Sequence, residues 1–289
     1  MNDAPARGVE EKAGPGTSLL LMLLLPIILV NVIAFVMPVA NLAAMSFREA
    51  ASTGSLSDVV SLKVWASLLE DSYYWSIAWR TIWLGVLITI ITLILSYPIA
   101  LFASRAERGR AILIVLCISP LLLSAVVRTY GWMVILGEQG FLPALIRQVG
   151  FTPPRLINNE VGVVIGMTEI LMPYMILSLL SGFGKLDVTL EQAAETLGAN
   201  RFTVLRRIVL PLSLPGILLG SLLCFVLAVS SFITPKMLAG GRVALLATEI
   251  YDQAIVTLNW PLAACLSVLI LTVFGAALLF YGQLTKIIE

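Results

Sequence analysis

Six blocks of apolar residues, each long enough to cross a lipid bilayer, dominate this chain and leave it few ways to fold. The apolar residues come in near-continuous runs and not in a one-faced helical stripe, so helices built from them are apolar all round. In hydrocarbon every backbone N–H and C=O must be satisfied within the protein, and helices of about 20 residues do this segment by segment. Of the 289 residues, 59% are hydrophobic and 12% are charged. That charged share is about half of what a soluble domain carries. The chain reads as an all-α integral membrane protein with spans near 18–46, 78–104, 111–136, 160–181, 213–235 and 259–284. Pro26, Pro38 and Pro98 are expected to kink the first two spans. Residues 1–16, polar and rich in Gly and Pro, read as a disordered tail, and 17–289 as one transmembrane domain. The stretch 17–46 is too long for a signal-peptide core and is read as an uncleaved first span.

What the chain lacks limits its chemistry. It has no His, which excludes a His-ligated metal site, a Ser-His-Asp triad and an HExxH helix. Cys117, Cys224 and Cys265 sit singly inside apolar runs and read as packing thiols. No Gly-rich P-loop signature occurs, so the chain is expected to bind no nucleotide or other cofactor itself. A net charge of +1 with no basic run gives no sign of nucleic-acid binding.

Lys and Arg in the connecting loops set the expected orientation. Arg105, Arg108 and Arg110 lie between spans two and three, while Lys185, Arg201, Arg206 and Arg207 lie between spans four and five. Arg7, Lys12 and Lys286 in the tails join that side. Arg48, Lys63, Arg147, Arg155, Lys236 and Arg242 face the other way, over longer loops. Both termini and the loop at about 182–212 are therefore expected in the cytoplasm. Tyr73, Tyr74, Trp75 and Trp79 read as an interfacial belt ahead of span two.

That loop carries the most specific pattern in the chain. Glu191 and Gln192 precede Ala193 and Ala194, three residues lead to Gly198, and nine more lead to Ile208, Leu210 and Pro211. Thr189 and Gln192 have capping-box spacing for a helix starting near Leu190. Gly198 supplies freedom to turn, with Ala199 after it, and Asn200 is placed to cap a second helix. Phe202, Leu205 and Val209 would share one face of that helix, which is expected to end before Pro211.

The pattern resembles the EAA loop of ABC-importer permeases, Glu-Ala-Ala, three residues, Gly, nine residues, Ile-x-Leu-Pro. Gln192 departs from it, standing where Glu is usual. Val127 to Trp132, Phe232 to Pro235 and Asn259 to Ala264 further resemble spermidine/putrescine-type permeases. The resemblance implies a six-helix, type I ABC-importer permease of the cell inner membrane whose loop fits a cleft on an ATP-binding subunit. It also implies the partners: two ATPase subunits that use ATP and Mg, a second permease forming a heterodimer, and an extracytoplasmic binding protein. The cargo it implies is a polyamine, with opines and related amines left open.

A charge within a span is costly unless it faces the bundle interior, water or a partner. Glu169 falls inside span four, close to Tyr174. It is either a carboxylate lining the route of a cation or one half of a structural contact between helices. Arg128 near the end of span three is a substrate contact or an interfacial anchor, as are Tyr130 and Trp132 beside it. Gly216 and Gly220 have the spacing that lets helices approach closely. The competing reading is a secondary transporter driven by an ion gradient, which would be self-contained and usually shows an internal repeat.

Overall fold

A computed structural model of the chain describes residues 17–50, 56–106, 109–184 and 187–288. The expected N-terminal tail and Lys185 lie outside these residues. The chain starts with α1 (Thr17–Asn31), a π turn (Val32–Val36) and α2 (Met37–Met45). Pro38 directly follows the π turn, where the backbone stays helical through Val36 and Met37 and the wider register absorbs its missing donor. From Leu24 to Pro38 every side chain is exposed, as befits a helix bathed in lipid.

A short antiparallel hairpin follows, β1 (Arg48–Ala50) with β2 (Leu56–Val60), pairing Arg48 with Val60. No alternation of apolar and polar residues announces it. Next come α3 (Lys63–Glu70), α4 (Ser72–Arg105), α5 (Arg110–Ile118), α6 (Ala125–Leu136) and α7 (Phe141–Gln148). Then follow α8 (Glu160–Phe183), α9 (Val188–Thr196), α10 (Arg201–Val204), α11 (Leu210–Leu212) and α12 (Leu214–Ser230). The chain closes with α13 (Ile233–Ala239), α14 (Leu246–Tyr251) and α15 (Trp260–Ile288).

Among the described residues, four helices are long and apolar enough to cross a membrane, and two bent pairs bring the number to six. The bent pairs correct the expected spans. The third, read as one helix over 111–136, is α5 and α6 set 97° apart. Pro120 lies in the 3₁₀ turn Ser119–Leu122, and Leu123 is extended, so the ladder stops there. The fifth, read over 213–235, ends at Ser230; extended Ser231 separates it from α13. In the opposite direction its helix runs back through Arg201–Leu212 with a 65° bend at Ser213. The second span starts earlier than expected, at Ser72, because the Asp71 carboxylate caps it by accepting from the Tyr73 N–H at 2.8 Å. Tyr73, Tyr74, Trp75 and Trp79 are thus in its first turns, and Pro98 lies inside it without ending it.

The core is built where α4, α8 and α12 meet. Without water to drive helices together, van der Waals contact does the work, and small residues let it happen. A Cβ on Gly216 would sit 2.9 Å from Gly182 Cα, so α12 and α8 touch backbone to backbone. One turn on, a Cβ on Gly220 would meet Met175 Sδ at 2.7 Å. On the far side of α12, a Cβ on Gly85 of α4 would meet Val229 at 2.9 Å. Leu84, Met167, Leu171, Met175, Leu179 and Cys224 fill the resulting core. A smaller cluster of Leu68, Ile77, Leu246, Cys265 and Leu266 joins α3, α4, α14 and α15. The Thr81 hydroxyl there accepts from the Leu246 N–H at 2.9 Å, fastening α14 to α4.

Gly216→Val should cost at least about 1–3 kcal/mol of stability by overpacking. Gly275→Ala, where a Cβ meets nothing within 4 Å, serves as the control. Thermal melts of the two purified variants, followed by size-exclusion recovery, check this; equal melts would contradict the close packing.

Candidate functional site

Two groups of residues singled out in the sequence fall at different places on the helix bundle. The first is the loop between α8 and α12, at the C-terminal end of α4. Its first helix is capped by Asp187, whose carboxylate accepts from the Thr189 N–H at 2.9 Å. This corrects the expected Thr189–Gln192 box: the helix begins two residues earlier, at Val188, and Thr189 lies within it. An ionised carboxylate outcompetes a hydroxyl for the free N–H groups and the positive end of the helix. The bonds from Thr189 in turn hold the Asp187 carboxyl below the usual carboxylate range.

The turn after α9 has a specific geometry. The Ala199 N–H reaches back to the Ala194 carbonyl and the Gly198 N–H to Glu195, both at 3.0 Å. Those paired bonds are a Schellman motif, and Gly198 takes its left-handed position with φ +86°. The glycine required by the pattern is thereby explained by backbone conformation. The Asn200 side chain accepts from the Thr203 N–H at 2.8 Å, capping α10 as expected.

Two expectations for the second half change. The helix does not stop before Pro211: the π turn Leu205–Val209 is followed by α11, which contains Pro211. A wider turn frees a carbonyl that proline could not bond. The inward face holds Val204 and Val209, with Leu205 and Ile208 packed on the core, while Phe202 is 69% exposed. Ala194 and Ala199 also pack on the core. Gln192, Ala193, Gly198, Asn200, Leu210 and Pro211 are exposed. So is Leu197, at 90%, which the sequence reasoning missed. Its signal was an apolar residue in a polar stretch, directly before the turn glycine.

Two contacts tie the loop to α4. Arg105 Nη2 donates to Glu191 Oε2 at 2.6 Å, with Glu191 only 15% exposed. The Tyr97 hydroxyl meets Ser213 Oγ at 3.1 Å, at the 65° bend, and the Tyr97 ring packs edge-on against Phe183.

The second group lies between α6 and α8. The Trp132 indole N–H donates to Glu169 Oε2 at 3.1 Å, uniting two of the pathway candidates. One turn earlier, Arg128 has Nε and Nη1 enclosed without a hydrogen-bond partner among the described residues. Tyr130 is exposed, and Tyr174 packs into the core instead of joining Glu169. The neighbouring Thr129 hydroxyl meets that of Thr234 at 2.9 Å, locking α6 to α13.

This fold has parallels among known proteins. Residues 89–286 match the family of binding-protein-dependent transport system inner membrane components. The chain belongs to that family. It is 32% identical over 250 residues to the spermidine/putrescine transport system permease protein PotB of Haemophilus influenzae, covering 85% of this chain and 87% of the relative. It is 31% identical over 204 residues to the molybdenum transport system permease protein ModB of Mycobacterium bovis, covering 69% and 75%. Among solved structures, a chain of a bacterial alginate ABC transporter superposes with a TM-score of 0.77 at 16% identity, covering 94% of this chain and 95% of that one. A chain of the MetNI methionine ABC transporter gives 0.55 at 14% identity, covering 76% and 99%. The permease is thus a multi-pass inner-membrane component of an ABC importer with the type I fold. It is a transport subunit and not an enzyme, and it works with an ATPase and a substrate-binding protein. Gradient-driven transport is not favoured.

Asp187→Ala should loosen the start of α9, raising amide hydrogen exchange across residues 189–192 severalfold at neutral pH. Asp187→Asn should preserve it, since Asn caps comparably. Because the folded carboxyl titrates below its unfolded value, the cap contributes fully above about pH 4. That contribution is lost as pH falls through the lowered value.

Proposed function

We propose that this permease forms half of the route of an ATP-driven polyamine importer. The 182–212 loop is its docking element for the ATPase. The observation that carries the docking reading is the surface the loop presents. Leu197 and Phe202 project on either side of the Gly198 turn, while Arg105–Glu191 and Tyr97–Ser213 hold its other face to α4. Exposed apolar side chains on a short capped helix pair suit insertion into a partner's cleft. Ala193 and Gly198 keep that surface low, permitting close approach. Glu191 serves inward, as a tether, while Gln192 beside it faces outward toward the partner.

Two permeases, this one and a related second chain, enclose one pathway, and each docks one ATPase subunit. ATP and Mg bind on those subunits. Closure of the ATPases pushes on the loops, and the tethers pass the displacement to α4 and through the Ser213 bend to α12. Both termini lie in the cytoplasm, and an extracytoplasmic binding protein delivers cargo to the opposite side.

The polyamine assignment is supported by the relatives that share most of this chain's length and are named for spermidine and putrescine. Glu169 supplies an anionic group on α8 facing α6, as a cationic cargo needs. ATP hydrolysis by the reconstituted complex, with binding protein and a panel of polyamines, opines and molybdate, tests the cargo. Stimulation by putrescine or spermidine is expected; stimulation by another panel member alone would reassign it. In the same assay Gly198→Leu, strained at φ +86° and bulky at the docking face, should lower coupled hydrolysis at least about tenfold with membrane insertion intact.

A pair of variants separates transport from architecture at Glu169. Glu169→Gln keeps an acceptor for the Trp132 N–H, so it should retain thermal stability and reduce polyamine uptake. Trp132→Phe retains the charge and removes the donor, costing about 1–3 kcal/mol of stability. Unchanged uptake in Glu169→Gln would assign the carboxylate to helix contact alone.

A further inference from the structure

At the end of α4 remote from the docking loop, a second cluster of acidic and aromatic side chains is used by nothing described so far. Glu249 on α14 is 8% exposed, yet among the described residues its carboxylate is met only by neutral donors: the Tyr73 hydroxyl at 3.2 Å and the Gln253 amide at 2.8 Å. One turn on, Asp252 opens the π turn Asp252–Val256 and pairs with the Lys236 ammonium of α13. That ammonium also lies 4.5 Å from the centroid of the Tyr251 ring, which is stacked on Phe232 at 5.1 Å. Beside this pair of rings is a cavity of about 430 Å³ lined by Phe232, Tyr251, Ile250, Ile255, Ser230 and Ser267.

The arrangement is a built site for an alkylammonium. A carboxylate faces the cation, the face of an aromatic ring covers it, and an apolar hollow adjoins it. Its present occupant is the end of a lysine side chain, a primary ammonium on a four-carbon stem. An aliphatic diamine ends in the same group. The local charge is also unbalanced. Glu249 and Asp252 bring two carboxylates, and Lys236 is the one cation that forms an ion pair with either among the described residues.

We propose that the Phe232–Tyr251–Asp252 site is an ammonium subsite of the transport route, held by Lys236 when cargo is absent. A diammonium or polyammonium ion takes the site by displacing the Lys236 side chain. The inference rests on the polyamine reading above and deepens it by naming where one cargo ammonium sits. Lys236 is about one-third exposed, so its ammonium can swing to water when displaced. The buried Glu249 carboxylate supplies attraction for a second positive charge, and the apolar cavity lining accommodates methylene groups. Lys236 is then a tethered competitor: it neutralises Asp252 in the resting protein and sets how strongly a cargo must bind to enter.

The test is ATP-driven uptake of labelled putrescine and spermidine by proteoliposomes containing the full complex and its binding protein. Lys236→Met removes the competitor and should lower KM about threefold or more; Asp252→Asn removes the counter-charge and should raise KM about tenfold. The Lys236→Met/Asp252→Asn double variant, which removes both charges of the pair, should have a KM above that of wild type. A purely structural ion pair predicts something else: Lys236→Met raises KM or leaves it unchanged, and the double variant behaves like wild type. Either of those results overturns the subsite. Should Lys236→Met fail to assemble, Tyr251→Leu takes its place, with an unchanged KM counting against the proposal. A wild-type complex that takes up no amine but responds to another cargo removes the polyamine reading, and the subsite with it. Wild-type amine uptake with unaltered variants removes the subsite alone.

Discussion

Where Gly182 faces Gly216 the backbones of α8 and α12 touch, and the placement of the other core helices depends on that contact. In a bilayer apolar side chains gain nothing by leaving lipid for protein, so association rests on how closely two helices can approach. The glycines remove the side chains that would hold α8 and α12 apart. Gly220 repeats the device one turn later, where Met175 packs onto it, and the Cys224 thiol reaches the Leu171 carbonyl across the same interface. With α12 so fixed, Gly85 lets α4 lie against its Val229 and Phe225 face. The three helices form a unit whose internal spacing leaves little room to vary.

The consequence for function is mechanical. α4 has 34 residues and so spans about 51 Å. At one end Arg105 holds Glu191 of the loop between α8 and α12; at the other Tyr73 holds Glu249 of α14. Between them, Tyr97 meets Ser213 at the bend that leads into α12. A packed rod fastened at both ends and at a hinge is suited to carry a displacement from the loop to the far side. Breaks in the helical ladder fall at the Ser213 bend, between α5 and α6, and at the π turn that Asp252 opens.

Much of this was legible from residues alone. Apolar block length announced helices across a membrane, because hydrocarbon satisfies no backbone group. Gly198 and Asn200 announced the turn and the second cap, because a left-handed conformation and an N-cap are local demands that few residues meet. Gly216 and Gly220 announced close approach, although not the partner. Other features were illegible for equally physical reasons. Asp187 and Thr189 both have capping chemistry, and only the folded backbone decides which one stands at the helix start. Pro120 and Pro211 look alike in sequence, yet one accompanies a 97° break and the other is absorbed behind a π turn.

Residue chemistry alone dictates the class of protein, the number of apolar blocks and the turn at the centre of the loop between α8 and α12. Each of these follows from solvent preference or from the conformational limits of single residues. Packing between helices sets which face of the loop points outward, that Glu191 binds Arg105, and that Trp132 holds Glu169. It alone brought Lys236, Tyr251 and Asp252 to one place. These are encounters between side chains on different helices, and their distances depend on helix crossing and bend, which no single segment encodes.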